Sequence, residues 1–166
     1  MLLIISCSSI YGYASETVSQ SHEVTLSLNI KKPTCVLSTV DKKINFGEWD
    51  KAAIMAEQPE VSATFSFSDC ADVDSLDIQF TGNYIDANSN QLNIATGDYS
   101  ASGVAIKILD ASSNEVNLSQ TTKFTTTGTD KYDLQLRARL VPIKQDITTI
   151  TPGDIKSAVT LVINYK

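Results

Sequence analysis

The sequence has little of what enzymes most often use for catalysis. Its 166 residues contain a single histidine, His22, whereas a catalytic triad requires a histidine held between a nucleophile and a carboxylate. Neither a Gly-x-Ser-x-Gly element nor a phosphate-binding glycine loop occurs. Cysteines without a histidine cluster also do not form a zinc site. We therefore expect no enzymatic activity, no catalytic residue, no metal site and no cofactor.

Positive charge and long apolar runs are also scarce. The net charge is −6, with 13 Lys and Arg against 19 Asp and Glu. An acidic surface repels the phosphates of nucleic acids and the head groups of anionic membranes. After the first residues, no run is long and apolar enough to span a bilayer. Neither nucleic-acid binding nor membrane insertion is expected.

The N-terminus lacks the basic residues that usually begin an export signal. An apolar run at residues 1–5 is followed by Gly12 and Ala14, which flank Tyr13 in a small-x-small pattern like that of a cleavage site. We predict that residues 1–14 form a signal peptide, either atypical or shortened by a start codon placed too far downstream. A lipoprotein cleavage box ending at Cys7 and a buried N-terminal strand are the alternatives.

Cysteine usage agrees with export. Removal of residues 1–14 leaves two of the three cysteines, Cys35 and Cys70. An even pair in an exported chain indicates a disulfide that forms in an oxidising compartment.

Helical periodicity is missing from every long segment, and short apolar alternations take its place. Turn-forming residues separate them, above all in residues 83–102 and 110–114, which we interpret as loops. One short helical turn is expected at residues 52–56. Many short strands divided by turns indicate an all-β sandwich. The alternations cover residues 24–30, 44–46, 61–67, 76–80, 104–108, 134–140 and 159–165.

The last alternation carries the most specific information. Its apolar residues, Val159, Leu161, Ile163 and Tyr165, occupy every second position, as in a strand with one buried face. The printed sequence stops at Lys166, inside this strand. We therefore expect the strand to pair with a partner, and that pairing to be part of the function.

A second alternation precedes Cys35 and consists of Val24, Leu26, Leu28 and Ile30. It is either the first strand of the sandwich or an extension that pairs with a neighbouring molecule. Full burial of four such side chains contributes on the order of 6–12 kcal/mol before the cost of ordering the segment. With backbone hydrogen bonds added, that is enough to hold a polymer together.

Taken in order, these segments resemble the pilin subunits of chaperone–usher pili, the type 1 and P-pilus family. The resemblance covers residues 15–166. Each element alone is weak evidence for the family, and the specificity comes from their order and spacing together. The elements are residues 24–29 as a donor strand, residues 32–38 around Cys35 as the first domain strand, residues 44–47, residues 65–70 ending at Cys70, residues 103–110, residues 136–139, and Gly153 with Tyr165 as a C-terminal chaperone-recognition motif.

The resemblance implies an incomplete immunoglobulin-like β-sandwich that lacks its last strand and is completed by a donor strand from another chain. Residues 15–30 would form the N-terminal extension with the donor strand, and residues 31–166 the pilin domain. An open groove would run beside the C-terminal strand. A periplasmic chaperone would fill it first and hold the Lys166 carboxylate, and the extension of another subunit would follow. The groove and chaperone-recognition residues implied are Gly153, Val159, Leu161, Ile163, Tyr165 and Lys166.

The implied function is that of a structural subunit of an adhesive pilus that supports cell adhesion. Its partners would be the chaperone, an outer-membrane usher and other pilin subunits, and it would pass through the periplasm to the fimbrium at the cell surface. One residue departs from the family pattern, because Ile30 stands where the donor strand usually has glycine. A minor tip, adaptor or receptor-binding subunit is therefore the alternative.

Overall fold

A computed structural model describes residues 34–38, 42–126 and 129–166. Within these ranges β-strands dominate and helices are few. The elements are β1 (Val36–Leu37), α1 (Lys51–Glu57), β2 (Glu60–Ser68), β3 (Ser75–Thr81), β4 (Ile85–Asp86), β5 (Gln91–Leu92), β6 (Val104–Leu109), β7 (Thr122–Thr125), β8 (Tyr132–Pro142), a 3-10 helix (Ile147–Thr149) and β9 (Thr160–Tyr165). No helix in the described ranges is both long and apolar enough to cross a membrane.

The strands form two antiparallel sheets. The larger sheet has the order β1-β2-β8-β6-β5-β4, and the smaller one has the order β7-β3-β9. Antiparallel sheets commonly bury one face and leave the other to solvent, which gives the alternation of apolar and polar residues seen in the sequence. The prediction of an all-β fold is confirmed.

The long strand β8 shows how the sequence builds the core. Leu134, Leu136, Ala138 and Leu140 are buried, and the residues between them are more exposed. Side chains alternate between the two faces of a strand, so β8 packs its aliphatic side chains inward. Its arginines lie on the outer face.

Cys35 and Cys70 form a disulfide, with their Cα atoms 4.7 Å apart. Cys35 immediately precedes β1, and Cys70 follows β2 by two residues. Both cysteines are buried in the core. The predicted disulfide is confirmed, and it ties β1, the first described strand, to the chain just after β2.

The helical turn expected at residues 52–56 is confirmed as α1. The Asp50 carboxylate caps it by accepting a hydrogen bond from the Ala53 N–H at 2.8 Å, which satisfies one of the first unpaired amides of the helix. The helix ends at Glu57, and the cap residue after it, Gln58, is left-handed with φ 47° and directly precedes Pro59. Ile54 is its buried contact with the core.

The strand predicted at residues 44–46 is wrong. The Asn45 side chain accepts a hydrogen bond from the Gly47 N–H at 2.9 Å, and the Trp49 indole donates to the Phe46 carbonyl at 2.5 Å. Local side-chain bonds of this kind compete with strand pairing. The segment therefore has no regular structure and leads into α1.

Two further strand assignments differ from the prediction. Residues 83–102 are not loop throughout, because they contain the hairpin of β4 and β5. Strand β7 was not predicted, since Thr122–Thr125 contains only one large apolar residue, Phe124. Its pairing with β3 comes from tertiary structure, which outweighs weak local strand propensity.

Gly103, at the start of β6, is required by close packing. Its φ is +76°, and a Cβ built there would lie 2.3 Å from the Thr149 carbonyl oxygen. We expect Gly103→Ala to lower the free energy of unfolding by about 2–4 kcal/mol, since it combines a left-handed backbone with a steric overlap. Urea denaturation of the purified protein measures this.

Gly97→Ala is the matched control for that substitution. A Cβ at Gly97 would meet only the Ser100 hydroxyl, at 3.5 Å, an ordinary contact. We expect its unfolding free energy to stay within about 0.5 kcal/mol of the parent. Equal losses in the two variants would contradict the packing argument for Gly103.

Candidate functional site

Strand β9 is paired on one side only within the described residues. It lies at the end of the smaller sheet, where its neighbour is β3. The register joins Leu76 to Tyr165 and Ile78 to Ile163. The other side of β9, here called the acceptor edge and comprising residues 159–165, has no strand against it in the described part of the chain.

The hydrogen-bond pattern shows which residues present their backbone groups at the acceptor edge. Ser75 and Lys166 exchange two backbone bonds, of 3.0 and 3.2 Å. In an antiparallel pair such exchanges recur every second residue. The residues of β9 that bond β3 are therefore Thr160, Val162 and Asn164, and those whose N–H and C=O groups point to the acceptor edge are Leu161, Ile163 and Tyr165.

The same alternate residues carry the inward side chains, and these are incompletely buried. Val159, Leu161, Ile163 and Tyr165 pack against the core, yet each is only half-buried. The side chains between them are exposed, and Val162 retains 42% of its accessible surface. The alternation predicted for this strand is confirmed.

The side chains of β9 are less buried than those of β3 with which they pair. Leu76 and Ile78 on β3 are 0% exposed, and Phe80 is 4% exposed. Their opposite residues on β9 point into the same core but are only half-buried. Paired residues of β3 and β9 lie at the same level in the sandwich. We therefore attribute the larger exposed fraction of the β9 side chains to the side of β9 that has no neighbouring strand in the described residues.

The acceptor edge lacks two of the common protections against strand addition, charged side chains and proline. Exposed edges generally contain charged residues, proline or a bulge, whereas residues 159–165 contain no proline and no charged side chain. The Tyr165 phenol, whose pKa burial raises further, is neutral at physiological pH as tyrosine ordinarily is. The edge is an uncharged, partly apolar surface, and its outward backbone donors and acceptors have no strand partner among the described residues.

The disulfide is connected, through the four residues after Cys70, to the C-terminal end of this edge. The backbone oxygen of Lys166 accepts hydrogen bonds from Asp74 and Ser75, at 2.7 and 3.2 Å. Asp74 follows Cys70 by four residues, and Cys70 is bonded to Cys35, the residue before β1. The bond thus connects β1, at the end of the larger sheet, to the part of the chain that holds the end of β9. The sequence did not indicate which strand pairs with β9.

Gly153 lies apart from the other predicted recognition residues. A Cβ there would lie 2.4 Å from the Ala101 nitrogen and from the Ser100 carbonyl carbon. The Asp154 N–H donates to Tyr99, and the Asp154 carbonyl accepts from Ala101. The structure thus gives Gly153 a packing role, which allows residues 151–154 to lie against the 99–102 segment. The predicted donor residues Val24, Leu26, Leu28 and Ile30 lie outside the described residues.

Comparison with protein families agrees with this arrangement. Residues 24–166 match the family model described as fimbrial protein. The chain belongs to the fimbrial protein family. It is therefore a pilin of the chaperone–usher type, and the family is one of structural subunits. A curated relative, an uncharacterized fimbrial-like protein named YcbV from Escherichia coli strain K12, is 29% identical over 158 residues, which cover 92% of this chain and 91% of the relative.

Solved structures with the same fold include pilus proteins. The P pilus rod subunit PapA is 18% identical, with a TM-score of 0.61 over 81% of this fimbrial chain and 100% of PapA. A subunit from a chaperone–usher pilus structure is 17% identical, with a TM-score of 0.64 over 92% of this chain and 100% of that one. The CupB6 tip adhesin of Pseudomonas aeruginosa is 22% identical, with a TM-score of 0.51 over 63% of this chain and 29% of the adhesin. At these identities the likeness establishes the fold, which is immunoglobulin-like.

Proposed function

We propose that this pilin is a structural subunit of an adhesive pilus and that its acceptor edge binds a β-strand from another chain. The observation that carries the proposal is the contrast across the β3–β9 pairs. Leu76 and Ile78 are fully buried, whereas Tyr165 and Ile163 opposite them are only half-buried. A strand added along β9 would cover those side chains and pair the outward backbone groups.

The incoming strand would be supplied first by a periplasmic chaperone and later by the N-terminal extension of another subunit. Residues 15–30 would be that extension, and residues 31–166 the accepting domain. Val24, Leu26, Leu28 and Ile30 alternate with polar residues, so one face of the extension fits a surface that is open at every second residue. The chain would pass through the periplasm, with an outer-membrane usher placing it in the fimbrium at the cell surface.

The period of the extension provides the test. In a strain that makes these pili, Leu26→Asp combined with Leu28→Asp should remove the chain from the high-mass bands of surface pili sheared from the cells. The bands are measured by immunoblotting after electrophoresis without heating. Two carboxylates on the apolar face would have to be buried without partners in the neighbouring groove, which is strongly unfavourable.

Thr25→Asp combined with Ser27→Asp is the matched control. It adds the same charges to the same segment on the alternate face, so the high-mass bands should persist. If both double variants assemble like the parent chain, the extension is not the donor strand. If both double variants fail to assemble to the same extent, the interpretation of residues 24–30 as a strand with one apolar face is wrong.

A further inference from the structure

The acceptor edge has nearly the same chemical pattern in both directions along the strand. Ile163 is at its centre, and the large apolar residues Leu161 and Tyr165 lie two positions before and after it. Val162 and Asn164, which lie between them, are uncharged. An antiparallel copy of β9 therefore places apolar residues opposite apolar residues. This self-complementarity is what an interface between the same surfaces of two subunits requires.

One register of such a pair uses all the backbone groups that β9 presents at the acceptor edge. If Ile163 pairs with Ile163 of a second copy, Leu161 of each copy pairs with Tyr165 of the other. These are the three residues whose N–H and C=O groups face away from β3. Opposite residues of this kind exchange two hydrogen bonds in an antiparallel ladder, so the three pairs form about six bonds. Displacing one copy by two residues leaves one of the three in each copy without a partner in β9.

The same register brings the half-buried side chains of the two copies together. Opposite residues of an antiparallel pair have their side chains on the same face, so the inward faces of both copies lie on one side of the joined sheet. Tyr165 of each copy would lie beside Leu161 of the other, and both residues are only half-buried in the single chain. The two smaller sheets would form one sheet with the order β7-β3-β9-β9-β3-β7. Each copy thereby supplies the strand that the acceptor edge of the other lacks.

Charged side chains along the strand do not oppose this pairing. Residues 159–165 contain none, and the nearest one in the sequence is Lys166. In the register centred on Ile163, Lys166 lies opposite Thr160 of the second copy, so the two lysines are about 20 Å apart along the strands. That separation exceeds the screening length of about 8 Å at physiological ionic strength. Like charges are a common device against edge-to-edge association, and the acceptor edge does not have it.

We propose that two copies of this pilin whose acceptor edges are empty pair through β9, antiparallel and about a two-fold axis at Ile163. The inference rests on the proposed function, because it uses the edge that would accept a donor strand. The two modes of pairing have different consequences. A two-fold interface between identical surfaces closes at two copies, whereas a donor strand joins unlike surfaces and extends a fibre. The dimer therefore keeps both chains out of the pilus until a donor strand displaces one copy.

The test is disulfide cross-linking between two copies of the full chain purified from the periplasm. Both copies carry Leu26→Asp and Leu28→Asp, so that neither donates its extension. Val162 and Asn164 are exposed, and the register places them directly opposite each other in a pair that is not hydrogen-bonded, with Cα atoms about 4.5 Å apart. That distance permits a disulfide. A mixture of Val162→Cys and Asn164→Cys chains should therefore give mixed cross-linked dimers after mild oxidation.

Each cysteine variant by itself is the matched control. Two Val162→Cys chains would hold their cysteines two residues out of register, with Cα atoms about 8 Å apart, which is beyond the reach of a disulfide. Mixed dimers should therefore exceed the dimers of either single variant at least about fivefold. Absence of cross-linked dimers, or a mixed fraction no larger than random collision gives, would overturn the proposal.

Sedimentation equilibrium of the donor-defective chain without added cysteines is a second measurement. It should show a monomer–dimer equilibrium with a Kd of about 1–100 μM and no larger species. Ile163→Asp should weaken the dimer at least about tenfold, because two carboxylates without partners would meet at the axis. Val162→Asp, on the exposed face of the strand, should weaken it less than about threefold. A chain that stays monomeric at about 100 μM, or equal effects of the two substitutions, would contradict the dimer.

Peptide competition separates this inference from the proposed function. A peptide with residues 22–31 should dissociate the dimer, and the same peptide with Leu26→Asp and Leu28→Asp should not. A dimer that survives while the parent peptide is bound would overturn the proposal. If no dimer forms but the peptide binds and the parent chain enters surface pili, this inference fails and the proposed function stands. A peptide that binds neither monomer nor dimer would count against the proposed function, and the cross-links would decide the dimer.

Discussion

Replacing Ile163 with aspartate is expected to lower the amount of this pilin in surface pili to less than about a tenth of the parent level, because a bound strand would bury an unpaired carboxylate. The Ile163 side chain points inward opposite Ile78, and its own N–H and C=O face the acceptor edge. The substitution therefore places a charge where an added strand would lie. The measurement is immunoblotting of pili sheared from cells.

Val162→Asp is the control one residue away. Its side chain is 42% exposed and lies on the outer face of the same strand, so the new carboxylate stays in solvent. We expect assembly close to that of the parent. Formation of the Cys35–Cys70 bond, followed by thiol labelling, reports whether each variant folds. Similar losses in both folded variants would contradict the assignment of β9 as the accepting strand.

Removal of the disulfide is expected to have the largest effect on stability. Cys35 and Cys70 are separated by 35 residues, and closing a loop of that length in the unfolded chain is worth about 4 kcal/mol in the chain-entropy model. The double variant Cys35→Ala with Cys70→Ala should therefore unfold about 8–16 °C lower, as expected for a domain of this size. Thermal unfolding monitored by circular dichroism measures the shift.

The reducing agent dithiothreitol provides an independent control for that prediction. It should lower the unfolding temperature of the parent protein and leave that of the double variant unchanged. The single variant Cys35→Ala should unfold at the same temperature as the double variant or at a lower one, because it leaves the Cys70 thiol buried without its disulfide partner. A parent protein that is insensitive to reduction would show that the bond contributes little to stability.

Much of the fold could be predicted because its longer strands alternate cleanly. Strands β2, β3, β6, β8 and β9 all have apolar residues at every second position, which is the pattern of a sheet with one buried face. The pairing of Cys35 with Cys70 followed from their number. These features depend on local pattern or simple counting, so a single sequence reveals them.

The elements that were missed depend on contacts between distant residues. Strand β7 is held by its pairing with β3, and Phe124 alone gives no period. The segment around Asn45 has strand-like residues, but local side-chain hydrogen bonds take the place of strand pairing. No local pattern encodes such contacts.

On β9, the residues with inward side chains are also those whose backbone groups face the acceptor edge. This limits the registers in which a strand could be added beside β9. Leu161, Ile163 and Tyr165 present both features, so an incoming strand displaced by one residue would turn its polar face inward. Permitted alignments therefore differ by whole steps of two residues, or about 7 Å along the strand. Competing donor strands would make equivalent backbone bonds in each alignment. The choice among donor strands would then depend on how well the size of each donor side chain fits the inward position of β9 that it meets.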